Sequence, residues 1–385
     1  MKKNIYLMYV MALLQGMVFY GPIATLYRQM AGVTIFQITI MESISLALCV
    51  VLEVPWGIVA DKIGYRKTMI FCSVLYLISK VVFWRANGFL GFLMERIMLS
   101  VIIADLSGVE TSVLYLSSEK EEAQSVMGIY DNLLTVGLLI AAGVYSLMIK
   151  ENYRLAGLLT VISYGIAAIV SFFLTEVTSP EEQKAPSAKE FAEILQLILM
   201  NKYMIFLLIG IALFNETHQT ITVFLNQLKY IQCGWTDWQI GIIYILVTVV
   251  GLFGGLSSRL TKKVGVGHCG NLLFMSAIVS CLLLAVTTSK VLAVAAIGLL
   301  RISSSLFQPL HNNLQNRQIQ TGNRATELSV NAVIMDGIAI ATNVIFGKLA
   351  EMNLSVSMSA GALFCFAGLI LFSLWYKNVW KKMYC

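Results

Sequence analysis

The stretch LEVPWGIVADKIGYRK, residues 52–67, decides how this chain is read. It opens as an apolar run in which Pro55 and Gly57 permit a bend and close helix contact. Asp61 can cap a helix end or meet a basic group, and Gly64 allows a tight turn before Arg66 and Lys67. An apolar segment closed by a glycine turn and a basic pair is how a membrane helix meets the cytoplasm. The rest of the chain agrees. Of 385 residues, 58% are hydrophobic and 12% charged, and the mean hydropathy is +0.78. A water-soluble protein is excluded, because no polar stretch is long enough to fold as an aqueous domain. The function must lie inside the membrane.

Apolar spans of helical length fall near 5–27, 36–60, 68–87, 89–116, 124–148, 154–175, 203–228, 238–259, 268–288, 290–314, 325–349 and 355–377. Twelve spans put both ends on one side. Alternate loops then hold seventeen of the 27 lysines and arginines with the termini and seven, Arg28 and Lys229 among them, opposite. Lys80, Arg96 and Arg301 lie within spans. The bias places both termini in the cytoplasm, with a bacterial inner or plasma membrane as the expected location. The N-terminal apolar run has no small-residue cleavage site and is read as a retained helix.

The longest polar interruption, Glu176 to Lys202, contains TEVTSPEEQKAPSAKE and an amphipathic run, FAEILQLILM, suited to the membrane surface. It divides the chain into an N-terminal six-helix bundle at 1–175, a cytoplasmic linker at 176–202 and a C-terminal six-helix bundle at 203–385. The halves echo one another. Gly57, Asp61, Gly64, Arg66 and Lys67 after the second span have a weaker counterpart in Gly255, Arg259, Lys262, Lys263 and Gly265 after the eighth. Such a repeat implies two bundles flanking a central path.

The spacing G-x-x-x-D-x-x-G-x-R-K, with Glu53, Pro55 and Gly57 before it, resembles the signature loop of the major facilitator superfamily in its small bacterial members. ADLSGVETSVLY (104–115), FLNQLKYIQCGWTDWQIGII (224–243) and NRATELS (323–329) fall where such transporters have similar stretches. The resemblance implies an all-α fold of twelve transmembrane helices in two pseudo-symmetric bundles. It also implies a gating role for Gly57, Asp61, Gly64, Arg66 and Lys67, and a cavity lined by spans one, four, seven and ten. Arg259 stands where the first-half loop has Asp61, so the gate is expected to be asymmetric. Span five lacks the Gly-Pro motif of many drug/proton antiporters.

Ionisable groups in hydrocarbon cost roughly 2.5–3.5 kcal/mol each on an insertion scale, so each should face a partner or a watery path. Span four carries Glu95, Arg96, Asp105 and Glu110. Span seven carries the densest polar cluster, FNETHQT, in which Asn215 and Gln219, and Glu216 and Thr220, pair at i,i+4. His218 lies two positions from Glu216, on roughly the opposite side. A carboxyl and an imidazole in one apolar helix have the chemistry of proton coupling. In span ten Arg301 heads a polar stripe through Ser304, Gln308 and His311; it could balance Glu216 or attract an anion. Asp131 and Asp336 are further proton candidates. The seven cysteines show no paired spacing, the three histidines no zinc spacing, and there is no ATP-binding motif. GLFGG at 251–255 follows no strand and reads as helix packing. No cofactor, metal, enzyme chemistry or nucleic-acid partner is expected. The reading is a monomeric secondary transporter, first for proton-coupled efflux of a small amphiphilic or drug-like molecule, and second for a specific metabolite, anionic among the possibilities, bound by Arg96 and Arg301. A non-transporting membrane sensor is the third.

Overall fold

The structure is a computed structural model. It describes residues 2–119, 122–177, 188–319 and 324–381, with the side chains of 53–62, 105–108, 124, 188–190 and 324–325 outside the described set. The described residues form sixteen α-helices: α1 Lys2–Gly16, α2 Ala24–Met30, α3 Ile35–Ile63, α4 Tyr65–Arg85, α5 Gly88–Ser117, α6 Ala123–Val144, α7 Tyr153–Ser171, α8 Ala188–Met200, α9 Lys202–Gln219, α10 Asn226–Gln232, α11 Asp237–Val250, α12 Ser257–Val264, α13 Val266–Val286, α14 Lys290–Gln318, α15 Arg324–Met352 and α16 Leu354–Trp375. Among the described residues eleven helical segments are long and apolar enough to span a bilayer. The 30-residue α5 is a twelfth of that length.

Three spans predicted as single helices are interrupted. The first breaks between Gly16 and Ala24, where a 3₁₀ turn, Gly21–Ile23, contains Pro22. A break frees backbone groups that hydrocarbon cannot satisfy. Helix α7 supplies the partners: Ser163 donates to the Leu14 carbonyl at 2.7 Å, Tyr164 donates to the Gln15 carbonyl at 2.7 Å, and the Phe19 amide donates to Thr160 Oγ1 at 3.0 Å. Span seven joins α9 to α10 through a π-helical stretch, Thr220–Leu225. Span eight joins α11 to α12 through a 3₁₀ stretch, Gly251–Leu256.

The residues pack as two compact units. One comprises Met1–Val33, Ile44–Ala185 and Asp237–Ile245. Its core includes Met8, Met11, Met69, Cys72, Ile102 and Tyr130, from α1, α4, α5 and α6. Helices α1 and α6 approach at reciprocal glycines. A Cβ on Gly16 would sit 2.2 Å from the Leu134 carbonyl oxygen, and one on Gly137 would sit 2.2 Å from that of Leu13. The start of α11 belongs to this unit, where Gly241 lies against the Ser146 hydroxyl and Asp237 accepts from the Tyr153 hydroxyl.

The other unit comprises Thr34–Ser43, Pro186–Thr236 and Leu246–Cys385. Phe214 packs on Phe307 at 4.4 Å and on Phe274 at 5.0 Å between ring centroids, and Phe372 continues the cluster at 5.7 Å from Phe274. The start of α3 lies on α15: Thr39 fills the space over Gly347, and Ser43 donates to the Ile340 carbonyl at 3.3 Å. Helix α8 buries Ile194 and Ile198 and exposes Leu197, Leu199 and Met200.

The glycine turn of the signature loop recurs. Gly64 (φ +94°) precedes α4 and Gly265 (φ +82°) precedes α13, both in a backbone region that only glycine enters freely. Arg66 explains its own position. Its Nε donates to the Leu174 carbonyl at 2.6 Å and its Nη2 to the Phe172 carbonyl at 3.0 Å, so it neutralises the carbonyl-rich end of α7. The Arg66 amide also donates to Glu176 at 3.1 Å. Lys67 is exposed, and the side chains at Gly57 and Asp61 lie outside the described set.

Close helix contact at Gly137 makes a direct prediction. Gly137→Ala should lower the thermal stability of the purified protein by about 1–3 kcal/mol, the usual penalty of overpacking. Gly143→Ala, on the same helix but with no atom within 4 Å of its Cβ, should be neutral. Equal melting temperatures for the two variants in detergent would contradict the packing.

Candidate functional site

Four residues of the FNETHQT cluster face one cavity. Asn215, Glu216, His218 and Gln219 line a space of about 530 Å³ in the second unit, together with Gly251, Gly254, Arg301, Ser304, Ser305, Gln308, Pro309 and His311. At 100° per residue these four positions on α9 span an arc of roughly 160°, with Glu216 and His218 at its two edges. Glu216 and His218, expected on opposite sides, therefore border the same space.

The far wall is α14, and glycines let the neighbouring span approach it. A Cβ on Gly251 would meet Arg301 Nε at 2.7 Å, and one on Gly254 would meet the Ser305 carbonyl oxygen at 2.9 Å. The GLFGG segment is thus a packing element beside the cavity, and it sets where the guanidinium sits.

Hydrogen-bond chemistry fixes several orientations. Arg301 Nη1 lies 3.4 Å from His218 Nε2. A guanidinium only donates, so a hydrogen bond between the two needs Nε2 to accept. Thr222 is 3.2 Å from the same nitrogen. His311 has an amide on each side, Asn215 at 3.4 Å from Nε2 and Gln315 at 3.2 Å from Nδ1. A neutral imidazole offers one donor and one acceptor, so one amide presents its oxygen and the other its nitrogen. Glu216 is buried and accepts from Thr220 at 2.8 Å, closing the i,i+4 pair seen in the sequence. Glu42 on α3 and Asp336 on α15 both act on Glu216 electrostatically.

The first unit holds a second charged site. Glu95, 1% exposed, lies 3.7 Å from Arg28 Nη2 and 3.7 Å from Lys80 Nζ. Aromatic faces surround the cations: Arg28 lies 5.4 Å from the Phe83 centroid, and Lys80 lies 5.2 Å from that of Tyr164. The topology count set Arg28 among the loop residues. It lies instead within α2, buried, because Glu95 offers it a countercharge in the helix interior. Lys229, counted with the same loops, is buried in α10 and donates to Gln232 at 3.1 Å.

The remaining candidates are dispersed. Glu110 accepts from the Tyr130 hydroxyl. Arg96 is half-buried on α5, and Asp131 is exposed on α6. The Asp105 side chain lies outside the described set. Ser305, Glu42 and Asn343 escaped the sequence reading. Each is one of a small polar group in an apolar run, which is a weak signal: Ser305 ends the run Ser303–Ser305, Glu42 precedes Ser43 and Asn343 follows Thr342.

The Arg28–Glu95–Lys80 group makes a stability prediction. Removing the carboxylate that both cations share leaves them in low dielectric without it, so Glu95→Gln should destabilise the protein by about 3–5 kcal/mol. Lys80→Met, which keeps the Arg28 pair, should do less. Thermal unfolding in detergent checks this, and an equal or larger effect of Lys80→Met would contradict the shared carboxylate.

Comparison with known proteins bears on the whole chain. The Major Facilitator Superfamily profile matches residues 5–342. An uncharacterised MFS-type transporter of Methanocaldococcus jannaschii is 26% identical over 184 residues, 46% of each chain, so the match spans about half of that relative's length. Among solved structures, a mutant form of the nucleoside transporter NupG superposes with a TM-score of 0.82 at 15% identity, covering 97% of this chain and 99% of that one. A bacterial homologue of the human lysosomal transporter Spinster, inward-facing and unoccupied, superposes with a TM-score of 0.74 at 14% identity, covering 99% and 97%. At such identities the likeness is one of fold. With the helices, the glycine loop and the profile in agreement, this chain belongs to the major facilitator superfamily: it is a multi-pass membrane transporter.

Proposed function

We propose that the protein is a proton-coupled exporter of a small polar solute, working by alternating access, with Glu216 carrying the proton. The lining of the cavity carries this reading. Among the described residues it is built of amides, hydroxyls, imidazoles, a carboxyl and a guanidinium, with Pro309 the one hydrocarbon side chain. An amphiphilic cargo calls for apolar and aromatic walls, which drug-sized ligands usually meet. Of the two substrate classes open from the sequence, the lining favours the metabolite.

Asn215, Gln219 and Gln308 each offer a donor and an acceptor, matched to the edges of a solute rich in hydrogen-bonding groups. Arg301 takes an anionic or electron-rich part. Glu216 borders the same space, so solute and proton compete for it, which is the logic of exchange. In this account Gly57, Asp61, Gly64, Arg66 and Lys67 gate the cycle, and Asp336 supports Glu216. The protein works as a monomer in a bacterial inner membrane with both termini cytoplasmic, supported by the lysine and arginine bias.

Proteoliposomes with a pH reporter in the lumen test the reading against nucleosides, sugars, amino acids, small carboxylates and lipophilic cations. One polar class should drive proton flux. Glu216→Gln should abolish that flux while solute exchange continues. Arg301→Gln should raise KM about tenfold, the order expected for one lost charged hydrogen bond. Flux with lipophilic cations alone would contradict the assignment.

A further inference from the structure

The cavity holds opposite charges at its two ends. Around α9 the lining positions run in the order His218, Asn215, Gln219 and Glu216, with His218 and Glu216 at the edges of the arc. Arg301 from α14 joins the His218 edge, its Nη1 3.4 Å from the imidazole Nε2. Glu216 forms the other edge. Glu42 from α3 and Asp336 from α15 act on it electrostatically, so that end lies in the field of three carboxyls. The two amides between the edges are uncharged and offer both donors and acceptors. The space of about 530 Å³ falls within the roughly 300–1,000 Å³ of small-molecule sites. One end is thus cationic, the middle neutral and polar, and the other end anionic.

We propose that the solute is a zwitterion of the amino-acid type, its carboxylate on Arg301 and its ammonium on Glu216. This rests on the exchange reading of Glu216, in which the proton has left the carboxyl when the solute is bound. The solute then meets a carboxylate and a guanidinium at once. A neutral solute, a sugar or a nucleoside, would take water from both charges and return a counter-charge to neither, so each desolvation goes uncompensated. A simple anion would satisfy Arg301 and be repelled by Glu216, and a simple cation would do the reverse. An ammonium and a carboxylate on one molecule answer both ends, and Asn215 and Gln219 meet the groups between them. The same pairing suits exchange. Glu216 is covered by the ammonium on the outward leg and by the proton on the return, so it is never left as a bare carboxylate within hydrocarbon, where an unanswered charge is costly.

Calorimetric titration of the purified protein in lipid nanodiscs, in mildly alkaline buffer, tests this with matched ligands. Glutamine, its des-amino carboxylate glutaramate and its decarboxylated amine γ-aminobutyramide form one set. The longer-spaced γ-aminobutyrate, with butyrate and butylamine, forms the other. At least one zwitterion should bind about tenfold more tightly than each of its own single-charge counterparts, the order expected for one charged hydrogen bond. Glu216→Gln should remove its advantage over the des-amino carboxylate and keep that over the amine; Arg301→Gln should do the reverse. Should either variant fail to fold, the wild-type ratios still decide. Zwitterions that bind no more tightly than their counterparts, no binding by either set, or binding by uridine or glucose in their place overturns the assignment. Proton flux that a bound neutral solute drives, and that Glu216→Gln abolishes, would then leave the exchange reading standing. Binding by lipophilic cations alone overturns that reading, and the zwitterion with it.

Discussion

Hydrocarbon offers no hydrogen-bond partner, and this constraint organises the molecule. Each buried polar group must find its partner within the chain. Where the first span breaks, three side chains of α7 take up the freed groups of Leu14, Gln15 and Phe19. Where α7 ends, Arg66 closes over its carbonyls. Where Glu95 lies buried, two cations reach it. Irregular backbone and charge are thus confined to places where another helix answers them, and the least apolar of these places is the cavity against α9 and α14.

Glycine is the complementary device. Helices without side-chain bulk can meet backbone to backbone, which matters where lipid gives no hydrophobic drive to association. Gly16 and Gly137 bring α1 against α6, Gly210 and Gly368 bring α9 against α16, and Gly251 and Gly254 bring the eighth span against α14. The last contact is the one with chemical consequence, because it presses on Arg301. The positive-φ glycines at 64 and 265 show the internal repeat in the backbone itself. The halves diverge in the basic pair beside that turn: Arg66 and Lys67 come after Gly64 in the first, whereas Lys262 and Lys263 precede Gly265 in the second.

The fold was legible because its signal is additive. Long apolar runs, their number and the basic loops between them survive any local surprise, and the signature stretch at 52–67 named the family. The cavity was half legible: FNETHQT and the stripe from Arg301 to His311 converge as polar clusters in apolar helices should. Helical angles alone set His218 apart from Glu216, since they describe a cylinder and not the width of the space beside it. Arg28 read as a loop residue because a charge near a span's end looks the same whether or not a carboxylate waits on another helix. Asn343 gave only a weak local signal, and the threonine it meets lies 123 positions away.

The central claim is that the space between α9 and α14 is a polar, solvated binding cavity. Its most direct test is the modification rate of a Ser304→Cys variant by a charged thiol reagent in membrane vesicles, with the unsubstituted protein as the background for its native cysteines. The account predicts rapid labelling that one class of polar solute slows and lipophilic cations leave unchanged. A cysteine that stays unlabelled, or one protected by lipophilic cations alone, would contradict it.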